Sequence, residues 1–246
     1  MLYINKRPIP KAVQEKIAII RNSEAWRRIK SDDIEGIRAC FDSLDKEELR
    51  NALISEQHGL CAYCMKRIKA NSQTSIEHFI PIKCSKDGAI DYKNMLACCD
   101  GGRTSNTKNK KVLCCDASKG DIKITINPQD KTIQDKITYD RNGILTIKPF
   151  DTTKQNEIDH ILHLNGVRNE NGDLKYDTNT QIVKGRRDTY KFYTVYMERI
   201  SRKARGDESK IIGDIKRMIS KLESADIYME YQGVMIYFLK RRLRAN

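Results

Sequence analysis

The chain has 246 residues, 39% of them hydrophobic and 32% charged, and a formal net charge of +13 at pH 7. This composition is typical of a soluble globular protein with enough chain to bury a core. No stretch approaches the roughly 18 consecutive apolar residues that a membrane span requires. We therefore expect no membrane-spanning segment and no membrane partner. The excess of Lys and Arg favours a polyanionic partner such as nucleic acid, although basic charge also simply aids solubility.

The cysteine content indicates a reducing compartment. The sequence contains eight cysteines, and its N-terminus has no apolar core followed by a small-residue cleavage site. Thiols of such a protein more often bind a metal than form disulfides. We therefore expect a cytoplasmic protein without a signal peptide.

Residues 1–58 are predicted to form a helical N-terminal region. From Asp32 onward, apolar residues recur at intervals of three and four, as one face of a helix requires. Asp45 is a candidate N-cap for a further helix, because its side chain can accept hydrogen bonds from free backbone N–H groups. We expect that helix to end near His58-Gly59, just before the first cysteine pair.

Residues 59–121 contain two sets of cysteines, a pattern by which a chain grips one structural zinc ion. The first set is a pair separated by two residues. The second offers two adjacent pairs, at 98–99 and 114–115, which cannot all join a sphere of four ligands. We interpret one cysteine of each adjacent pair as a small buried hydrophobic residue. The predicted zinc ligands are Cys61, Cys64, Cys99 and Cys115.

A histidine stands at the end of a short strand predicted between the two cysteine sets. The strand runs from Thr74 to Phe79 and contains Glu77-His78, and Pro81 closes it. An imidazole titrates near neutrality, so His78 is a candidate general base toward water. A lone histidine is usually structural, but the neighbouring residues favour a catalytic role.

Acidic and basic residues near this histidine complete a candidate hydrolytic site. Glu77 and Asp116 offer carboxylates for a catalytic divalent cation. Arg103 and Lys119 are candidate contacts for a phosphate group.

The next part of the chain predicts a loop and a small sheet. Residues 100–111 are polar and basic, and form either a surface loop or a flexible arm that contacts phosphates. Isoleucines alternate over 122–126, as in a strand, and Asn142-Gly143 is a strong signal for a tight hairpin. We expect an antiparallel sheet over 122–150.

Residues 151–246 are predicted to form a helical C-terminal region. Basic and aromatic residues interleave from Thr180 to Arg205, in a stretch expected to be helical after Gly185. We expect its aromatic residues to lie in the core, and a further amphipathic helix over 211–222. The cationic C-terminal end is either a solvated face or a surface for nucleic acid or a partner.

The motifs of residues 59–121 resemble those of zinc-stapled HNH endonucleases, the ββα-metal or His-Me finger group. The residues that carry this resemblance are Cys61-x-x-Cys64, Glu77-His78-x-x-Pro81, Asn94, Cys99 and Cys115-Asp116-x-x-Lys119. Further stretches are similar to the PtuB family, the HNH subunit of Septu-type antiphage systems that is also found with retrons. Those stretches are Gln57-x-Gly59-x-Cys61-Ala62-Tyr63-Cys64, Asp91-Tyr92-x-Asn94, Cys115-Asp116-x-x-Lys119-Gly120 and Ile161-Leu162-His163-Leu164-Asn165.

This resemblance implies an α+β fold with a zinc-stapled ββα-metal (HNH) nuclease module between helical N- and C-terminal regions. It implies hydrolysis of DNA phosphodiester bonds, with a structural Zn²⁺ and a catalytic Mg²⁺ or Mn²⁺. His78 would act as the base, and Asn94 would hold the loop that orients it. The implied partners are DNA, a PtuA-type ATPase, and a retron reverse transcriptase with its RNA–DNA product.

Two positions depart from the family pattern, and an alternative function remains open. Glu77 stands where HNH proteins commonly have Asp, and Asp116 where they commonly have His or Asn. Both substitutes can still bind a metal ion. The alternative is a non-catalytic zinc-ribbon adaptor that binds nucleic acid or the ATPase, and an RNA target is also open. An adaptor would not need Glu77-His78 at a strand end with Asn94 downstream.

Overall fold

The computed structural model describes residues 1–105 and 112–245 of the chain. The architecture is mixed α+β. In the described residues, ten α-helices accompany three antiparallel sheets of two strands each. Residues 106–111 of the predicted basic insert lie outside the described residues.

The N-terminal region is helical, as predicted. It contains α1 (Lys11–Asn22), α2 (Glu24–Arg28), α3 (Ile34–Asp42) and α4 (Lys46–Glu56). The carboxylate of Asp45 accepts hydrogen bonds from the backbone N–H groups of Glu47 and Glu48 at 2.9 and 3.0 Å, which confirms the predicted cap of α4. After α4, His58 and Gly59 adopt positive φ angles and turn the chain toward the first cysteine pair.

The segment around the candidate histidine forms a hairpin followed by one helical turn. Strand β1 (Ser75–His78) pairs antiparallel with β2 (Met95–Cys98), and His78 lies opposite Met95. Three short 3₁₀ turns, 82–84, 87–90 and 92–94, connect the two strands. Helix α5 (Asp116–Lys119) follows the second cysteine set.

The predicted sheet over 122–150 is present only in its second half. After helix α6 (Lys131–Lys136), strand β3 (Ile137–Tyr139) pairs antiparallel with β4 (Leu145–Ile147). The strand predicted over 122–126 is wrong, although the isoleucines at 124 and 126 are buried. The reason lies in the hydrogen bonds: the backbone N–H groups of Thr125 and Ile126 donate to the carboxylate of Glu157 instead of a neighbouring strand.

The C-terminal region is mostly helical, with one correction. Helix α7 (Thr152–Asn156) continues as a π-helical turn over Glu157–Ile161. A hairpin that the sequence did not predict follows, in which β5 (Val167–Arg168) pairs with β6 (Leu174–Tyr176). The last three helices are α8 (Ile182–Ala204), α9 (Glu208–Glu223) and α10 (Gln232–Arg244), so α8 begins three residues before Gly185.

Two apolar cores hold these elements together. The main core takes residues from all four sequence regions, from Met1 near the N-terminus to Phe238 in α10. The smaller core lies between α8, α9 and α10. Of the aromatic residues predicted to be core in α8, Tyr190, Tyr193 and Tyr196 pack in or against these cores, whereas Phe192 is exposed. In the part of the chain that the structure describes, no helix combines the length and apolar character of a membrane span.

Candidate functional site

Four cysteine thiols come together as the spacing predicted. The Sγ atoms of Cys61, Cys64, Cys99 and Cys115 all lie within 4.8 Å of one another, and all four residues are buried. The distance from Cys61 Sγ to Cys115 Sγ is 3.8 Å, as is that from Cys64 to Cys99. Zn–S bonds of about 2.3 Å place neighbouring sulfur atoms of a tetrahedron about 3.8 Å apart. The cluster therefore fits a structural metal ion such as zinc.

Local backbone geometry supports the thiol cluster. The backbone N–H of Cys61 donates to the carbonyl of Lys66 at 2.8 Å, and the N–H of Lys66 points at Cys64 Sγ at 3.4 Å. Burial raises the pKa of the Cys61 thiol, but hydrogen bonds from Cys115 and the other neighbouring thiols outweigh burial and hold its pKa well below the usual range. A thiolate is the form that binds a metal ion.

The two cysteines left out of the predicted ligand set are buried beside the cluster. Cys98 is the last residue of β2 and lies opposite Ser75. Cys114 is fully buried, with its Sγ 3.3 Å from the hydroxyl of Thr180. Both are buried thiols outside the cluster, as predicted.

His78 lies at the end of β1 with one ring nitrogen bonded and the other free. Its Nε2–H donates to the carbonyl oxygen of Ala89 at 2.9 Å, which leaves the lone pair on Nδ1. Nδ1 has no hydrogen-bond partner within 1–105 and 112–245, and no buried side-chain nitrogen or oxygen there lacks a partner. Nδ1 therefore reaches solvent, although the residue as a whole is 8% exposed.

Asn94 holds the two segments that fix this imidazole. Its side-chain Oδ1 accepts a hydrogen bond from the N–H of Ile80 at 2.8 Å, and its Nδ2 donates to the carbonyls of Ile80 and Gly88, both at 2.9 Å. Ile80 lies two residues after His78, and Gly88 immediately precedes Ala89, the acceptor for His78. A single amide group thus connects the end of β1 to the loop that accepts the Nε2 proton.

Glu77 and Asp116 come together on another side of β1, with a cation beside each. The Nζ of Lys119 lies 2.7 Å from Glu77 Oε1, and the hydroxyl of Tyr63 donates to the same oxygen at 3.1 Å. An Arg103 nitrogen lies 3.1 Å from Asp116 Oδ2. Burial, and next the hydrogen-bonded neighbour Asp116, raise the pKa of Glu77 to about 8. Burial alone would also raise the pKa of Asp116, but its hydrogen bonds and the Arg103 cation hold it below the usual range.

The two predicted phosphate contacts differ in accessibility. Arg103 keeps 47% of its side chain exposed. Lys119 is only 1% exposed, and besides Glu77 its Nζ donates to the carbonyls of His78 and Gly120. In this structure Lys119 is held in the interior by the buried Glu77 carboxyl group, and a phosphate contact would require it to leave the interior.

The predicted cation site is less complete than the thiol cluster. Among the described residues, the four cysteines are the only group of three or more His, Cys, Asp or Glu that could hold a metal ion. Glu77 and Asp116 provide two carboxylates without a third such ligand. Two other histidines have different partners: His58 stacks on Tyr228, with ring centres 3.9 Å apart, and His163 bonds Ser118 of α5 at 2.8 Å.

Sequence reasoning missed residues that surround His78 from distant parts of the chain. Phe41 of α3 meets the imidazole edge-on, with ring centres 4.6 Å apart. Lys46 lies over the ring of Phe41, with its Nζ 3.2 Å from the ring centre. No pattern in the sequence links them to His78, because α3 and α4 reach β1 only through tertiary packing.

In comparisons with known proteins, the chain matches no protein-family model, and no curated protein matches it.

Proposed function

We propose that this protein is a metal-dependent HNH endonuclease that hydrolyses phosphodiester bonds in DNA. The observation that carries the proposal is the state of His78: its Nε2–H is bonded to Ala89, and its Nδ1 has no hydrogen-bond partner among the described residues. Such an imidazole has one nitrogen free to accept a proton and the other held in a fixed orientation.

The burial of His78 favours the form that a general base needs. Burial, as the largest influence, lowers the pKa of His78 to about 4, against the smaller opposing influence of the Ala89 carbonyl. The ring is therefore neutral at pH 7, with its lone pair on Nδ1. A water molecule about 3 Å from Nδ1 would lose a proton to it as the water oxygen attacks phosphorus.

Asn94 acts as a positioning residue. It would touch neither the water nor the phosphate, but it bonds both Ile80, two residues after His78, and Gly88, next to the acceptor Ala89. Its contribution is orientation, since a base that is displaced by about 1 Å loses much of its effect.

Glu77 and Asp116 are the residues that would hold the catalytic cation. Their carboxylate oxygens are the donors that Mg²⁺ and Mn²⁺ prefer. Lys119 already occupies one oxygen of Glu77, so the fit is partial. When bound, such a cation supplies positive charge that stabilises the charge developing on the phosphate and the leaving oxygen.

The order of elements supports the finer assignment to a ββα-metal module. The antiparallel pair β1 and β2 is followed by α5, and these elements carry His78, Asn94 just before β2, and Asp116. The four-cysteine cluster joins the end of β2 and the start of α5 to the stretch 61–64 that precedes β1. Its four thiols would fill all the ligand positions of a tetrahedral metal ion and leave none open, which is typical of a structural site.

The proposed setting is antiphage defence as a PtuB-type effector. The support is the motif resemblance together with the net charge of +13, which suits DNA. The sequence contains no Walker-type phosphate loop, so dependence on ATP would come from a PtuA-type ATPase partner. A retron reverse transcriptase with its RNA–DNA product is a further proposed partner.

The test is plasmid cleavage by parent protein and His78→Ala, with Mg²⁺ or Mn²⁺, alone and with the co-expressed ATPase. We expect cleavage to fall by roughly 10²–10⁴-fold, the effect typical of losing one general base. Zinc content and DNA binding should be unchanged, because His78 contacts no cysteine of the cluster. The matched control is His160→Ala, since His160 is exposed in the turn after α7.

The adaptor hypothesis makes the opposite prediction. If His78→Ala cleaves DNA as fast as the parent, His78 is not the base and the HNH mechanism is wrong. If the parent binds DNA or the ATPase but shows no cleavage in any combination, the adaptor function takes its place.

A further inference from the structure

The N-terminal helices form one wall of the candidate catalytic site. Phe41, the second-last residue of α3, places its ring at 75° to the His78 imidazole, with ring centres 4.6 Å apart. The contact shields one side of the imidazole from water, which contributes to its burial. A residue 37 positions upstream of His78 thus belongs to its immediate surroundings.

Lys46 places a cation against the same wall. Its Nζ lies 3.2 Å from the centre of the Phe41 ring and donates a hydrogen bond to the Phe41 carbonyl. Because the Phe41 and His78 ring centres are 4.6 Å apart, Nζ lies at most 7.8 Å from the centre of the imidazole (3.2 + 4.6).

Lys46 is accessible where Lys119 is not. Its side chain is 23% exposed, whereas that of Lys119 is fully buried. Its acidic partner is Asp42, 3.6 Å away and 68% exposed, and an ion pair with so exposed a partner is weak. Lys46 can therefore exchange Asp42 for another anion at small cost.

The charge of Lys46 suits an incoming anion. Burial lowers the pKa of Lys46 itself to about 8, so most molecules carry the ammonium at pH 7. A phosphate beside Nζ would stabilise that charge further.

We propose that Lys46 binds the phosphate group on which His78 acts, so that the N-terminal helices complete the nuclease site. Typical distances are compatible with this role. A water molecule would lie about 3 Å from Nδ1, and its oxygen would lie about 3–3.5 Å from phosphorus. A charge-assisted contact from Nζ to a phosphate oxygen would be about 2.8 Å long. Such an arrangement fits, when bent, between Nζ and an imidazole whose centre is at most 7.8 Å away. The inference rests on the proposed nuclease function.

The experiment compares Lys46→Gln and Lys46→Arg with a matched control, Lys154→Gln. Lys154 has nearly the same side-chain exposure, 21%, and also pairs with a nearby aspartate, Asp151, but it lies in α7. We expect Lys46→Gln to slow cleavage about 10- to 100-fold, the size of one lost hydrogen bond to a charged group. Lys46→Arg should keep most of the activity, and Lys154→Gln all of it.

A second readout does not depend on cleavage. In the His78→Ala background, the affinity for a short DNA duplex is measured against salt concentration, with and without Lys46→Gln. Loss of one phosphate contact should reduce the slope of log affinity against log salt by about 0.9. If Lys46→Gln fails to fold, Lys46→Met, which keeps an apolar chain over the Phe41 ring, supports the same comparison.

The outcomes separate this inference from the function on which it rests. A parent protein that never cleaves DNA contradicts the nuclease function itself. If the parent cleaves and His78→Ala does not, but the Lys46 variants match the parent in rate and salt slope, the nuclease function stands and the role of Lys46 is overturned.

Discussion

The four-thiol cluster, which takes Cys99 from just after β2, and the His78 site at the end of β1 are built in opposite ways. The cluster is buried and closed, and its ligands come from two short stretches around 61–64 and 99–115. The His78 site has one free nitrogen, and depends on Phe41 from α3 and on the loop around Ala89.

The thiol cluster stabilises the fold, whereas the His78 site depends on the fold for its geometry. Thiols brought together by a metal ion contribute binding energy to folding. The imidazole gains nothing comparable, since its burial disfavours the charged form and its single hydrogen bond only fixes its orientation. Changes in the first site should therefore affect stability, and changes in the second should affect activity.

The largest effect is expected for Cys61→Ser. Binding of structural zinc is worth about 10–16 kcal/mol in small zinc domains, comparable to the whole stability of a typical protein, about 5–15 kcal/mol. The variant should lose its metal ion and its cooperative thermal unfolding, measured by zinc content and calorimetry. Cys84→Ser, at an exposed cysteine, is the control and should change neither. A parent protein that is well folded without metal would show that the thiol cluster does not stabilise the fold through a metal ion.

A smaller effect, confined to activity, is expected for Asn94→Ala. The variant loses the amide that joins Ile80 to Gly88, so the acceptor for His78 Nε2 is free to move. A misplaced base costs up to about 10²-fold in rate, less than removal of the base itself. Cleavage rate and zinc content are measured together, with Asn71→Ala as an exposed control. Loss of zinc from Asn94→Ala would show that the two sites are not separable.

The smallest effect is expected for Cys98→Ala, which sharpens the choice of ligands. Cys98 is buried in β2 outside the cluster, so its removal should cost about 1 kcal/mol of unfolding free energy and leave zinc bound. Its neighbour Cys99→Ala should lose the metal ion. Both variants are compared by denaturant unfolding and by zinc content. If Cys98→Ala loses zinc and Cys99→Ala keeps it, Cys98 is the ligand in place of Cys99.

Local features of the fold were predictable because neighbouring residues produce them. Asp45 caps α4 through N–H groups two and three residues away, and Asn142-Gly143 lies in the turn between β3 and β4. The strand predicted over 122–126 failed for a non-local reason: Glu157, some thirty residues later, takes the hydrogen bonds that a partner strand would have taken.

The candidate site also has features that local sequence could predict and features that it could not. Spacing limited the ligand set to one cysteine of each adjacent pair, because only four thiols can join a tetrahedral set, and the structure places Cys99 and Cys115 in the cluster. Spacing could not show that Lys119 is buried against Glu77, since charge in a sequence gives no information about depth.

The sequence by itself determined the thiol cluster, the strand that ends at His78 and the caps of the helices around them. Each depends on residue types at short, fixed separations, where backbone geometry leaves few alternatives. Tertiary structure alone decided which nitrogen of His78 is free, which lysine is accessible, and that α3 forms a wall of the site. Those properties arise from packing between segments far apart in the chain, and packing depends on the whole set of neighbours rather than on any local pattern.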